Sequence, residues 1–206
     1  MNCRFTALLV VLLCTTLSLS SAQKITGGLK LGMNLASMHG DDISDTKFKT
    51  GFCGGGFFAF ALGNVVVIQP EVLYSQKGVK WEDEFLDETW KLTYKFNYIE
   101  VPIFVKMIMP LQGKVKPNLF LGPYFAIAIT DSRYELEIDG MTIEDDLVGV
   151  KDTDFGLVFG GGIDFGLKKG KIVFDARYSL GLTTLDEEGE GELKNSVFTF
   201  LFGYSF

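Results

Sequence analysis

Cysteine and histidine are nearly missing from this chain of 206 residues, which holds three Cys and one His. Two of the cysteines, Cys3 and Cys14, fall in the first twenty residues, and Cys53 stands alone in the rest. A single thiol cannot close an internal disulfide, so oxidation does not staple the fold. Cys53 lies among Phe52 and Gly54-Gly55-Gly56 with no histidine nearby in sequence. It is therefore expected as a small buried residue rather than a nucleophile. Basic residues are outnumbered, 19 Lys and Arg against 26 Asp and Glu. That balance speaks against nucleic acid as a partner. Long hydrophobic runs are missing too, although mean hydropathy is positive. Beyond residue 22 no apolar stretch approaches the roughly 20 residues of a membrane helix.

The first residues form a separate unit. Met1-Asn2-Cys3-Arg4 is a short basic start, Phe5 to Leu19 is apolar, and Ser20-Ser21-Ala22 supplies small residues before Gln23. This pattern reads as a secretory signal peptide over residues 1–22, cleaved near Ala22, leaving one domain over 23–206. Bulky Leu12-Leu13 before Cys14 does not suit a lipoprotein signal.

Turn signals cut the remainder into eight strand-like segments. They lie near Ile25–Met38, Gly51–Leu62, Val65–Lys77, Leu92–Met109, Lys116–Thr130, Thr153–Leu167, Lys171–Thr183 and Lys194–Phe206. Most alternate. In the last, Phe198, Phe200, Phe202, Tyr204 and Phe206 share one face, opposite Val197, Thr199, Leu201, Gly203 and Ser205. A sheet face this apolar needs a cover, and lipid can supply it. The last segment is expected to pair with the one starting near Ile25 and so close a barrel.

Connections alternate in length. Gly63-Asn64, Leu111-Gln112-Gly113 and Lys168-Lys169-Gly170 are tight turns, whereas His39–Lys49, Gly78–Lys91, Asp131–Asp152 and Thr184–Asn195 are long. Short turns at one end and long loops at the other are the layout of outer-membrane barrels, with the turns facing the periplasm. The four long loops hold three, five, eight and five of the 26 acidic residues. The other acids, Glu71, Glu100, Asp154, Asp164 and Asp175, lie inside segments. Where alternation is clear they share the less apolar face with Lys30, Lys106 and Arg177. An eight-stranded barrel has an interior that side chains fill. Lys30, Glu71, Glu100, Lys106, Asp164, Asp175 and Arg177 are accordingly expected to form a salt-bridged plug, since unpaired buried charge is expensive.

Other motifs carry weaker readings. His39, with Ser37, Asp41, Asp42 and Ser44 nearby, enters the first long loop, but a lone histidine without base–nucleophile geometry is thin support for catalysis. Glu135, Glu137, Asp139, Gly140 and Asp146 match the spacing of a calcium loop, yet Glu replaces Asp at the tight positions and no helices flank them. Alternation of Tyr134, Leu136 and Ile138 up to Asp139-Gly140 predicts a β-hairpin there instead. Trp81 and Trp90 flank an acidic stretch: Trp90 is read as part of an interfacial aromatic belt above Tyr94 and Tyr98, and Trp81 is left open between belt and recognition surface. The glycine runs 54–56 and 160–162 lack the Lys-Ser/Thr of a phosphate loop and are read as strand residues that permit close packing. Pro70, Pro102 and Pro123 fall inside segments, where a missing N–H could mark bulges or bends.

Several words in the chain resemble a known family. They include Gly28-Leu29-Lys30-Leu31-Gly32-Met33-Asn34, the run Ile68-Gln69-Pro70-Glu71-Val72-Leu73-Tyr74-Ser75-Gln76-Lys77-Gly78, and Tyr98-Ile99-Glu100-Val101-Pro102. Gly122-Pro123-Tyr124, Gly160-Gly161-Gly162-Ile163-Asp164-Phe165 and Asp175-Ala176-Arg177-Tyr178 complete the set. Together they resemble the PorT-like, porin-family outer-membrane β-barrel proteins of Bacteroidetes-type bacteria. The resemblance implies an integral outer-membrane barrel, some members of which look tied to protein secretion. Phe206 also resembles the terminal signal that barrel-assembly machinery reads.

The fold expected is therefore all-β: an eight-stranded antiparallel up-and-down transmembrane β-barrel in the bacterial outer membrane. The function expected is non-enzymatic, with a filled interior and acidic loops that offer a surface to a protein partner. Outer-membrane lipid and the assembly machinery are the other partners, and no cofactor is implied. A small channel is the alternative, a lipid-modifying enzyme using His39 the third, and a soluble lipocalin-like barrel the structural runner-up.

Overall fold

The computed structural model describes residues 25–40, 46–85, 88–130, 132–138, 141–147, 149–186 and 193–206. The expected signal peptide and its cleavage point lie outside them. Ten strands follow in chain order: β1 Ile25–His39, β2 Lys49–Leu62, β3 Val66–Phe85, β4 Glu88–Ile108, β5 Val115–Ala128, β6 Arg133–Ile138, β7 Met141–Asp146, β8 Thr153–Gly166, β9 Lys171–Gly181 and β10 Lys194–Ser205. Eight of them form a closed antiparallel barrel. The order runs β3-β2-β1-β10-β9-β8-β5-β4, and β3 pairs with β4 to shut the ring. The expected closure between first and last segments is present, with Leu31 opposite Phe202 and Asn34 opposite Thr199. No edge in the barrel wall is left unpaired, which is what a strand-built membrane crossing requires.

The period of two decides what each face meets. Outward-facing Leu29, Leu31, Val105, Leu121, Phe159 and Phe202 are exposed, and alternate neighbours such as Lys30, Lys106, Tyr124, Val158 and Leu201 are buried. Along the outer face of β3 the residues read Val66, Ile68, Pro70, Val72 and Tyr74, then change to Gln76, Lys80 and Glu82. Opposite them on β4, Met107, Val105, Ile103, Val101 and Ile99 give way to Asn97, Lys95, Thr93 and Lys91. The apolar band thus spans about nine residues of a tilted strand, the length a bilayer needs. Charge marks its upper border.

Three features depart from the sequence reading. The stretch Gly78–Lys91, expected as a loop, is mostly strand: β3 and β4 stay paired from Val66↔Met107 out to Phe85↔Glu88. Gly78 had suggested a turn, but a Cβ there would collide with the backbone carbonyl of Tyr94. Its job is close approach within a ladder. Second, β6 and β7 form the predicted hairpin but lie against the extended part of β4, with Leu92 opposite Leu136. Third, the prolines make no bulge. Phe57↔Glu71 and Phe60↔Ile68 flank Pro70 at one register, as Pro70↔Ile103 and Leu73↔Glu100 flank Pro102. Pro102↔Tyr124 and Val105↔Leu121 do the same across Pro123. Each proline opens a short gap in one ladder and shifts nothing.

The turns are short as expected, and all three carry a glycine at positive φ, Gly63 at 81°, Gly113 at 110° and Gly170 at 69°, a region side chains disfavour. Cys53 is free and buried.

Candidate functional site in the barrel lumen

Six inward positions on five strands meet near the barrel middle. Lys30 of β1 donates to Glu71 of β3 and to Asp175 of β9, each at 2.5 Å. The second oxygen of Glu71 accepts from Arg177 Nη1 at 2.8 Å, and Gln69 donates to the first at 2.7 Å. Lys106 of β4 extends the chain of charges, 3.9 Å from Asp175 and 3.2 Å from Asp164 of β8. Asp164 also accepts from Asn118 at 3.1 Å and Lys171 at 2.7 Å. The arrangement fits a narrow tube because small residues oppose large ones. Gly160 sits across from Arg177 and Gly162 across from Asp175. A Cβ on Gly160 would stand 2.7 Å from Arg177 Cβ.

A second ionic group lies higher. Lys77 of β3 reaches Glu100 at 2.7 Å and Asp154 at 3.2 Å. Asp154 also accepts from the Tyr124 hydroxyl at 2.9 Å and the Asn195 amide at 2.8 Å. The Lys77 ammonium lies 4.3 Å from the centroid of the Tyr124 ring, which adds attraction from the ring face. Above it, Phe96, Tyr98, Val79 and Leu185 belong to a buried apolar cluster. Leu185 comes from the chain between β9 and β10 and is held there by Lys151 N–H donating to its carbonyl at 2.8 Å. Lys30, Lys77, Lys106, Lys171 and Arg177 thus face Glu71, Glu100, Asp154, Asp164 and Asp175, equal in number and mutually paired. Paired, they avoid the cost that isolated charge would carry in this setting.

All seven lumen residues expected from the sequence sit in these two groups. Lys77 and Lys171 were missed because they stand at segment ends. Counting on by twos from Glu71 through Leu73 and Ser75 would have placed Lys77 inside.

The remaining candidates separate. Tyr94 and Tyr98 are not in a lipid-facing belt, since they share the inward face of β4, and Tyr98 is fully buried. Trp81 packs edge-on against Tyr94 at 5.1 Å and joins the apolar lining of the mouth. Trp90 is 37% exposed and pairs across from Ile138, above the apolar band rather than at its border. Glu135 and Glu144 both bond Lys95, Glu137 meets Lys91 at 3.2 Å, and Asp146 meets Arg133 at 3.5 Å. These carboxylates are ladder pairs on extended strands, not a loop folded around an ion. Asp139 lies outside the described residues. Hydrogen bonds from Lys95 hold the Glu144 carboxyl below its usual range, and those from Lys47 and Lys80 hold Glu82 down to about 2. His39 stands opposite Lys194 in the β1–β10 register, and its buried Nδ1 has no hydrogen-bond partner among the described residues. Asp41, Asp42 and Ser44 lie outside the described residues. Among the described residues, no group of three or more His, Cys, Asp or Glu is placed to hold a metal.

A closed ring of strands, an apolar outer band and a charge-paired lumen define a transmembrane β-barrel. The chain belongs to the outer membrane protein beta-barrel domain family, whose model matches residues 21–187. No curated protein matches it in sequence. Solved structures with similarity include Ail, the attachment invasion locus protein of Yersinia pestis, in complex with the heparin analogue sucrose octasulfate. That match has 14% identity, covers 89% of this chain and 99% of Ail, and has a TM-score of 0.44. Neisserial surface protein A matches at 12% identity, covering 89% and 100%, with a TM-score of 0.45. OprG from Pseudomonas aeruginosa matches at 14%, covering 88% and 94%, with a TM-score of 0.46. Similarity this low says nothing about shared activity.

Proposed function

We propose that this chain is a non-enzymatic, non-conducting outer-membrane barrel whose outer end serves as a surface for a protein partner. The observation that carries the reading is the lumen itself. Two paired ionic groups lie one above the other beneath an apolar cap that includes Leu185, so an ion entering would have to break several buried pairs. The outer end supports the second half of the reading. The β3–β4 extension and the β6–β7 hairpin hold an ordered sheet clear of the apolar band, with Met141 and Ile143 exposed on β7. Rigid elements suit recognition better than loose loops. Within the family, the words Gln69-Pro70-Glu71 and Tyr98–Pro102 resemble the PorT-like group, and a link to secretion would follow from that membership.

Purified protein in planar bilayers tests the first half. The expected record is flat, and discrete, sizeable conductance steps would replace this reading with the small channel. Retrieval of a partner from mildly solubilised outer membranes by the wild type, and not by a variant lacking residues 133–146, tests the second. Equal retrieval by both would sink it.

A further inference from the structure

The turn end of the barrel is built differently from the loop end. There the lumen opens into a vestibule of about 890 Å³. Its floor is Gln69, Lys106 and Asp164, its wall includes Lys116, Lys171 and Ser205, and Lys114 and Lys168 stand at the rim. Five lysines therefore line it against one side-chain carboxylate. That carboxylate is already engaged by Lys106, Lys171 and Asn118. Lys116 donates to the Leu111 carbonyl at 3.0 Å. The side chains of Lys114 and Lys168 have no hydrogen-bond or ion-pair partner among the described residues.

A second observation is independent of charge. Ser205 is only 1% exposed, lines this vestibule, and its Oγ has no hydrogen-bond partner among the described residues. A buried hydroxyl left unsatisfied is uncommon and asks for a partner from outside the protein. The positive walls raise the local concentration of anions in such a recess. Lysine ammonium groups bind phosphate as point charges.

From this geometry we infer that the turn-end vestibule is a binding site for a phosphate group of net negative charge presented from the periplasmic side. Lys114 and Lys168 capture it at the rim, Lys116 and Lys171 hold it on the wall, and the Ser205 hydroxyl donates to one phosphate oxygen. The ionic floor makes the recess blind, so the site does not depend on conduction. Two sources share this chemistry: a free phosphorylated compound, and the headgroup of an anionic phospholipid in the surrounding leaflet.

Titration calorimetry of the detergent-folded chain with pyrophosphate is the direct test. Saturable binding that weakens with added salt is expected. K114Q/K168Q should bind roughly tenfold more weakly, since charged hydrogen bonds are lost at exposed positions. K47Q/K91Q, at the opposite end, should bind as the wild type does. S205A should lose roughly tenfold, the scale of one hydrogen bond to a charged acceptor. Folding of each variant is checked by heat-modifiable gel mobility, and K168Q alone carries the comparison should the double variant not fold. Repeating the titration in phosphatidylcholine discs with and without phosphatidylglycerol separates the sources. Equal affinity in both assigns a free phosphate compound, and loss on adding phosphatidylglycerol assigns the lipid headgroup. No saturable heat, or an unchanged affinity in the rim variants, overturns the site.

Discussion

Lysine–carboxylate pairs appear in two parts of this molecule under opposite conditions. In the lumen, Lys30, Glu71 and Arg177 are buried to within a few per cent and meet at 2.5–2.8 Å. Where the β6–β7 hairpin lies against the outer part of β4, Lys95 of β4 and Glu135 and Glu144 of the hairpin make the same kind of contact with a quarter to a half of each side chain in water. Water screens the second group, and each member loses little by parting from the others. In the lumen a member left alone keeps its charge with nothing to answer it. The contact is the same in both places, and burial alone sets its worth.

The largest effect should come from removing one lumen partner. Glu71→Gln leaves Arg177 without a carboxylate and Lys30 with Asp175 only, and should cost about 3–5 kcal/mol. Urea unfolding in lipid vesicles measures it. Replacing the whole group (Lys30→Met, Glu71→Leu, Asp175→Leu and Arg177→Met) removes two charges of each sign. That variant should be more stable than Glu71→Gln, because well-packed apolar side chains can take the place of a buried ionic group. A quadruple variant weaker than the single one would show that these charges do more than fill space. Next in size is the cap: Leu185→Ala should cost about 2–3 kcal/mol for a fully buried leucine, read in the same unfolding experiment.

On the outer hairpin the effects should shrink. Lys95→Gln should cost under about 1 kcal/mol, seen as faster amide exchange at Leu136 and Ile143 with global unfolding unchanged. The smallest effect is that of pH. Because Lys95 lowers the Glu144 carboxyl below its usual 4.5, its contribution is fully present above that value. It fades as pH falls through the lowered value, since the folded state holds the ionised form more tightly than the unfolded chain does. Exchange at Leu136, referenced to intrinsic rates, should therefore accelerate only below about pH 4. Acceleration beginning near pH 6 would point to another group.

The wall of the barrel was readable in the sequence because its signal is local. Alternation in Val197–Phe206 named the outward aromatics, and the same count gave the lumen side of β8 and β9. Legibility failed where one residue type serves two purposes. Gly78 looked like a turn and is a close approach between strands. Tyr94 and Tyr98 looked like a lipid belt, but their strand continues past the membrane and the count of two turns them inward. Lys77 and Lys171 were passed over at segment ends whose positions depend on how far neighbouring strands extend.

Composition and period by themselves determined the all-β class, the membrane-facing band, the end-to-end asymmetry and most of the charged residues bound for the interior. These follow from one chain's own pleat, which any extended segment obeys wherever it lies. Only the tertiary structure decided which charges meet, because Lys30 and Asp175 are 145 positions apart and join through strand register around a closed ring. Register also gathered Lys106, Lys114, Lys116, Lys168 and Lys171 from separate turns and strands around one recess beside the unsatisfied hydroxyl of Ser205. The sequence shows only that the turn regions carry Lys114, Lys116, Lys168, Lys169 and Lys171; the recess they share with Lys106 and Ser205 exists only once the barrel has closed.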